Sequence, residues 1–549
     1  MEPSAEQDQG EKKVYEVSTF PVPFPLGEIK ENITINTKTP SNPSKEQIIN
    51  QAFKFHSEGN IQQAEKYYQY FIDRGFNDNR VFSNYGVILK NLGKLKEAEL
   101  YTRKAIKLNP NYAKAYYDLA YILIDIGKVK EAEISLLKAI KINPNFADAY
   151  LNLGEIMRYI SKLQEAELYT RKAIEINPNF ADAYLNLGKI LRYIGKLQEA
   201  ELSVIKAIEL NPDLAKAYYS LSLLKFSDEN KIWKDKLFSE SFLNKKSQKD
   251  QVNIYFARAN ILHKEKKYED SSKCLKLANK LKLYLQPSNA NLLINKSKVL
   301  LIQSDKEEIN RKELRKYPES IFIVGMPRSG STLLESILSL RNDVHDLGEI
   351  NILEESLLEC KKPKQEINLA ELYWEKVNHK TELNITTNKW LYNYQYAGII
   401  AGNIPNAKII HCYRNPLDNI LSIYRAHFEQ GNEYSSSLVD CANVYLNQKE
   451  VMSKYKNRFR SKIYDLNYDS LVKNPDKEIK SLINWIGWDW QESYLSPHLN
   501  TRSVKTRSNV EVRSPINSKS IGGWKNYKDM LKPAIEILTQ TNKYQDITS

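Results

Sequence analysis

The segment Ile321 to Leu338, IFIVGMPRSGSTLLESIL, sets Gly325, Arg328, Ser329, Gly330, Ser331 and Thr332 between an apolar run and a helix-forming run. Strand, turn and helix in that order form a phosphate-loop arrangement. Backbone N–H groups around Ser329 to Thr332, aimed by the start of the following helix, cradle a polyanion. A loop that hydrolyses nucleotides carries lysine where this chain has Ser331; that lysine reaches the terminal phosphates while a neighbouring hydroxyl helps hold magnesium. Here Arg328 supplies the positive charge. A kinase or nucleotidase is therefore a competing reading, opposed by the missing lysine, and an ordinary strand-to-helix turn is the other.

PRSGSTLLE resembles the 5′-phosphosulfate loop of sulfotransferases that use 3′-phosphoadenosine 5′-phosphosulfate (PAPS), and above all the tyrosylprotein sulfotransferase branch. The resemblance runs in the family's order over roughly residues 317 to 530. KIIHCYRNPLDNILSIYRAHF is similar to the family's 3′-phosphate site, with Arg414 and, eight residues later, Ser422. An arginine fork and a hydroxyl distinguish a 3′-phosphorylated nucleotide from ATP, whose 3′ position is a bare hydroxyl. The tyrosylprotein branch has a further basic residue where this chain has Ala426, which leaves the adjacent Arg425 as a candidate contact. IYDLNYDSLVKNP carries over Tyr468 as an adenosine-phosphate contact, with aspartate replacing the usual glutamate after it. SKSIGGWKNY resembles the cofactor-closing loop, so that Trp524 packs against adenine while Lys519 and Lys525 approach phosphate.

For the reaction, the resemblance implies Glu349 as catalytic base and Lys389 close to the transferred group. Ser508 stands near the leaving group, and Arg328 completes the clamp. An unperturbed glutamate, with a pKa of about 4.3, is a poor base for a phenol near 10, so burial or concerted transfer must assist it. His345 is the competing base. A clamp of this kind stabilises the leaving oxygen electrostatically, and no metal is expected.

Short apolar runs at Ile321–Val324, Lys408–Tyr413 and Lys462–Tyr464 alternate with helical patterns, predicting an α/β, phosphate-loop-like domain with a mostly parallel sheet. Upstream the pattern is different. Pro110, Pro144, Pro178 and Pro212 recur every 34 residues, as do Ala98, Ala132, Ala166 and Ala200, and then Ala105, Ala139, Ala173 and Ala207. Paired helices with small residues at their crossing and proline closing the second resemble the tetratricopeptide repeat, an all-α superhelix. In the unit 147–180, Tyr150, Leu153, Gly154, Ala166, Ala173 and Pro178 match the repeat pattern, whereas Thr170 replaces a large apolar residue. The sixth position of successive units is Asn84, Asp118, Asn152, Asn186 and Ser220. This row resembles the asparagine ladder of the repeat region in O-linked N-acetylglucosamine transferase, which holds peptide backbone. The alternative is a solvated helix face.

The expected organisation is a polar, disordered tail at 1–44, repeats at 45–284, a charged helical connector at 285–316 and the sulfotransferase-like domain at 317–535. With 27% charged residues and no long apolar run, the composition excludes an integral membrane protein. MEPSAEQDQGEKKVYE lacks a basic segment followed by an apolar one, so a cytoplasmic location is expected. Cys274, Cys360, Cys412 and Cys441 lack metal-ligand or disulfide spacing. The net charge of +13 suits an anionic nucleotide, and because it is spread along the chain no nucleic-acid partner is expected. The oligomeric state is open. The acceptor hydroxyl is expected to be a tyrosine in a protein or peptide recruited by the repeats. Glycan, lipid and small-molecule hydroxyls compete with it, and a non-catalytic repeat scaffold is the non-enzymatic alternative.

Overall fold

The computed structural model describes residues 43–224, 232–306, 318–362, 367–379, 381, 384–428, 431–506 and 508–548. The expected disordered tail therefore lies almost wholly outside the described residues. Two compact units divide between Ala183 and Tyr184, inside the repeat array.

In the first unit, antiparallel pairs follow one another: Lys45–Ser57 with Ile61–Asp73, Asn79–Asn91 with Leu95–Leu108, Ala113–Ile126 with Val129–Ile142, and Ala147–Tyr159 with Leu163–Ile176. The periodic alanines explain the pairing. Ala98, Ala105, Ala132, Ala139, Ala166 and Ala173 are all completely buried, so each second helix approaches its neighbours at van der Waals distance. Each of the last three of these second helices ends one residue before an asparagine, and the proline after it cannot continue the helix. Thr170, the departure from a large apolar residue, is also completely buried, and a side chain at Gly154 would collide with it, so the pair exchanges one large residue for close backbone approach. Ser44 starts the array with a capping box to Gln47, satisfying two N–H groups that the helix cannot.

The second unit begins with the last repeat helices and continues through helices Gln248–Lys264, Tyr268–Leu285 and Ala290–Lys306. Of the expected connector, residues 307–316 lie outside the described residues and the preceding part is packed: Leu300 of helix Ala290–Lys306 joins the core under the sheet, and Gln395 Nε2 donates to Ser297 Oγ at 2.8 Å.

Five strands, β1 (Glu319–Gly325), β2 (Val344–Asp346), β3 (Ile385–Asn388), β4 (Ala407–Tyr413) and β5 (Ile463–Asn467), form one sheet in the order β2-β3-β1-β4-β5, with every pairing parallel. Alternate residues of β1 enter different cores. Phe322 and Val324 pack with Ile409, Tyr373 and Trp374, while Ile321 and Ile323 pack with Ile410, Leu466, Leu334 and Ile483. A sheet covered on both faces has continuous apolar central strands, which is why β1 and β4 were legible as apolar runs. In such sheets ligands bind beyond the carboxyl ends of the strands, where the order reverses on either side of the first strand.

Candidate active site at the carboxyl edge of the sheet

Each strand delivers one candidate residue within three positions of its carboxyl end: Arg328 after β1, Glu349 after β2, Lys389 after β3, Arg414 after β4 and Tyr468 after β5. Parallel pairing places those ends side by side, with Gly325 opposite Cys412 and Tyr413 opposite Asn467.

The β1 loop turns sharply, with Arg328 at φ 65° and Gly330 at φ 94°, before helix Ser331–Leu338 begins. A side chain at Gly330 would collide with the Tyr468 ring, so only glycine lets the loop and the end of β5 meet. Ser329, Ser331 and Thr332 are buried, and Thr332 Oγ1 lies 3.0 Å from Thr506 Oγ1. Ser329 Oγ and Arg414 Nε are both buried with no hydrogen-bond partner among the described residues. An unsatisfied buried donor costs about 1–3 kcal/mol, and both groups are of the kind that hydrogen-bond an anion.

Arg328 is a hub. Its guanidinium donates from Nε to Ser422 Oγ at 3.0 Å, from Nη1 to Ser508 Oγ at 2.5 Å and from Nη2 to Glu511 Oε1 at 3.1 Å. Arg414 is buried, with Nη2 donating to Ser520 O at 2.9 Å and Cζ 4.8 Å from the Tyr468 ring centre. Burial disfavours its charge and the nearby Arg328 adds to that, against the help of Tyr468, Asp418 and Asp469. Asp469, the departure from glutamate, accepts from Asn415 N at 2.6 Å and so ties the ends of β4 and β5 together.

The 518–527 loop closes against this cluster. Tyr468 OH lies 3.0 Å from Ser520 Oγ, and Gly522 N and Trp524 N donate to the two carboxylate oxygens of Asp418 at 2.7 and 2.9 Å. The Trp524 indole is buried in the cluster that holds Leu417, Ile420 and Met530, which docks the loop. Lys519 and Lys525, on the same loop, are exposed.

Lys389 has no exposed surface. Its Nζ lies 2.7 Å from Glu349 Oε1 and 3.5 Å from Glu335 Oε2. Burial works against the lysine's charge, but the two carboxylates outweigh it and raise its pKa. Burial pushes the Glu335 carboxyl up to about 7, with Lys389 pulling the other way. Glu349 is about half exposed, its side chain at 48%, and so is open to a substrate. His345 sits on β2 opposite Thr386. Sequence reading missed Glu335. Its signal was a carboxylate inside the apolar helix STLLESIL, where an ion must be paired to be buried. Asp418, which holds the closing loop, was missed too.

The ladder residues are covered. In the first unit Asn84, Asp118 and Asn152 are 8%, 4% and 7% exposed. Asp118 accepts from Ser83 Oγ at 2.7 Å and Lys114 Nζ at 2.9 Å, and Asn152 Oδ1 accepts from Tyr121 OH at 3.2 Å. Asn186 and Ser220 of the second unit are buried as well.

Family models agree with both halves. The "Sulfotransferase family" model matches residues 318–369 and 354–492, and "Tetratricopeptide repeat" models match 80–112, 101–134, 135–167 and 169–201. An uncharacterized protein of Aquifex aeolicus (strain VF5) is 29% identical over 275 residues, covering 44% of this chain and 36% of that protein. Protein-tyrosine sulfotransferase 1 of Danio rerio is 22% identical over 231 residues, covering 37% of this chain and 65% of the relative. The matches thus span less than two thirds of either relative. Among solved structures, YrrB, described as a TPR protein with an unusual peptide-binding site, is 23% identical with a TM-score of 0.27, covering 36% of this chain and 97% of that one. A tetratricopeptide repeat protein from Parabacteroides merdae ATCC 43184 is 18% identical with a TM-score of 0.33, covering 43% and 93%. No described helix is long and apolar enough to cross a membrane. The chain combines tetratricopeptide repeats with a C-terminal domain of the sulfotransferase family.

Proposed function

We propose that the C-terminal domain transfers the sulfuryl group of PAPS to an acceptor hydroxyl, first of all a tyrosine in a protein or peptide recruited by the repeats. The observation that carries this reading is the row of five strand ends, each presenting a residue with a part in such a transfer. The donor set fits PAPS: Ser329 Oγ and Arg414 Nε are buried donors with no partner among the described residues, and Arg328, Ser422 and Ser508 converge beside them.

Ser329, Gly330, Ser331 and Thr332 would hold the 5′ end of the nucleotide, Arg414 and Ser422 its 3′-phosphate, and Tyr468 and the Trp524 loop its adenosine. Bound PAPS supplies a sulfuryl group on a mixed anhydride, whose S–O bond to phosphate breaks as the bond to the acceptor oxygen forms. Glu349 takes the acceptor's proton from its half-exposed position. Lys389, kept charged by its two carboxylates, and the Arg328–Ser508 pair face the negative charge that grows on the leaving phosphate oxygen. Pre-placed donors of this kind cost no reorganisation during reaction and typically contribute about 3–4 kcal/mol each.

The test is incubation of the full chain with radiolabelled PAPS and cell extract, followed by separation of protein, glycan and lipid. Label on protein tyrosine supports the first acceptor, label elsewhere replaces it, and no label in any fraction defeats the transfer.

A further inference from the structure

Beside Arg328 lies a cavity of about 230 Å³ whose walls come from two parts of the second unit. The sulfotransferase-family domain contributes Arg328, Ser422, Arg425 and the small side chain of Ala426. Facing these are Arg192 from the repeat helix Ala181–Ile194 and Lys264 from the last turn of helix Gln248–Lys264. Among the described residues four cations line the cavity with one carboxylate, Glu511, which is 60% exposed and engages Arg328.

Their placement is built rather than incidental. Lys264 Nζ is fixed by donating to Ser222 O at 2.8 Å and to Leu224 O, the carbonyls that end helix Ala215–Ser222. Arg192 is only 9% exposed, and the Arg425 guanidinium lies 5.8 Å from the Tyr527 ring centre. Burial lowers the pKa of Lys264 to about 8, and burial together with the charge of Arg328 lowers that of Arg425. A dianion entering a partly enclosed space lined by cations is held more strongly than in open water.

We propose that the helices preceding the sulfotransferase-family domain complete its nucleotide site, with Arg192 and Lys264 supplying charge to the 3′-phosphate held at Ser422. The proposal rests on the PAPS reading above. It makes the repeat region part of donor recognition as well as a docking element. Position 426 on the domain's own wall is alanine, and the cations 234 and 162 residues earlier in the chain line the same cavity.

The test is calorimetry on the full chain with 3′,5′-bisphosphoadenosine and with 5′-AMP, for the native protein, Arg192→Gln, Lys264→Gln and the double variant. The proposal expects each single change to weaken the bisphosphate by about tenfold, with 5′-AMP affinity unchanged. Retained 5′-AMP binding also reports that a variant is folded. Ala426→Arg in the Lys264→Gln background is expected to restore part of the preference. A native preference that survives in both single variants overturns the proposal and leaves the PAPS reading standing. No native preference overturns the PAPS reading itself, and this proposal with it. A variant that loses 5′-AMP binding is assigned by the other single variant, whose preference decides the matter.

Discussion

Lys389 Nζ and Glu335 Oε2 meet 3.5 Å apart where the lysine has no exposed surface, so the site's cation is anchored from beneath by a residue of the phosphate-loop helix. The helix that follows β1 and Lys389 at the end of β3 are therefore one mechanical unit.

That contact makes stability depend on pH in a defined direction. The Glu335 pKa is raised from 4.5 to about 7, so between those values the folded state keeps a proton that the unfolded state has released. Stability contributed by this group is greatest below pH 4.5 and falls as pH rises towards 7, by on the order of 2–3 kcal/mol. Glu335→Gln should flatten that part of the profile when chemical denaturation is followed at half-unit pH steps.

Lys389 is completely buried, so removing it reaches the fold as well as the site. Lys389→Ala strands Glu335 without its counter-ion and drives that carboxyl's pKa higher still, so the loss of stability should continue above pH 7, at up to about 1.4 kcal/mol per unit. Denaturation midpoints at pH 6 and pH 8 measure this, and a pH-independent difference from the native protein would contradict it.

Glu349→Gln separates chemistry from folding. The variant keeps an amide oxygen that can accept from Lys389 Nζ, and the side chain is 48% exposed, so it should lose far less stability than Lys389→Ala while turnover falls by about 10²–10⁴-fold. Nucleotide affinity should not change.

At Gly330, φ is 94° and the Tyr468 ring fills the space a side chain needs. Gly330→Ala should cost roughly 1–3 kcal/mol and displace the loop, so that 5′-AMP and the bisphosphate weaken together. Loss of one ligand alone would place the defect elsewhere.

For the repeats, Asn152→Ala removes the acceptor for Tyr121 OH, and Asn186→Ala a second ladder member. Capture of the acceptor protein should fall in both variants, while the single lost hydrogen bond costs about 1 kcal/mol of stability. Unchanged capture with lowered stability would make the ladder structural.

How much was legible follows from the kind of signal each feature leaves. The repeats show themselves because one packing solution recurs, and the same buried alanine must return every 34 residues. Strands β1 and β4 announce themselves by unbroken apolar runs, whereas β2 has three residues, VHD, and β3 reads ITTN; neither carries a hydrophobic run, although Thr386, Thr387 and Asn388 are buried. The meeting of Arg328 with Ser508, 180 positions away, followed from the order of motifs and not from any spacing. Glu335 was passed over because a carboxylate on a helix ordinarily marks the solvent face. The cavity facing Arg192 and Lys264 has no sequence signature, since it arises only where helices from the repeat side reach the family domain within the second unit.

The most direct test of the donor site compares 3′,5′-bisphosphoadenosine with 5′-AMP by titration calorimetry on the intact native chain. Recognition of the 3′ end by Arg414 and Ser422, beside the loop proposed for the 5′ end, predicts that the bisphosphate binds at least about tenfold more tightly. Equal affinities would mean that the 3′ end is not recognised, and would contradict the assignment of PAPS as donor.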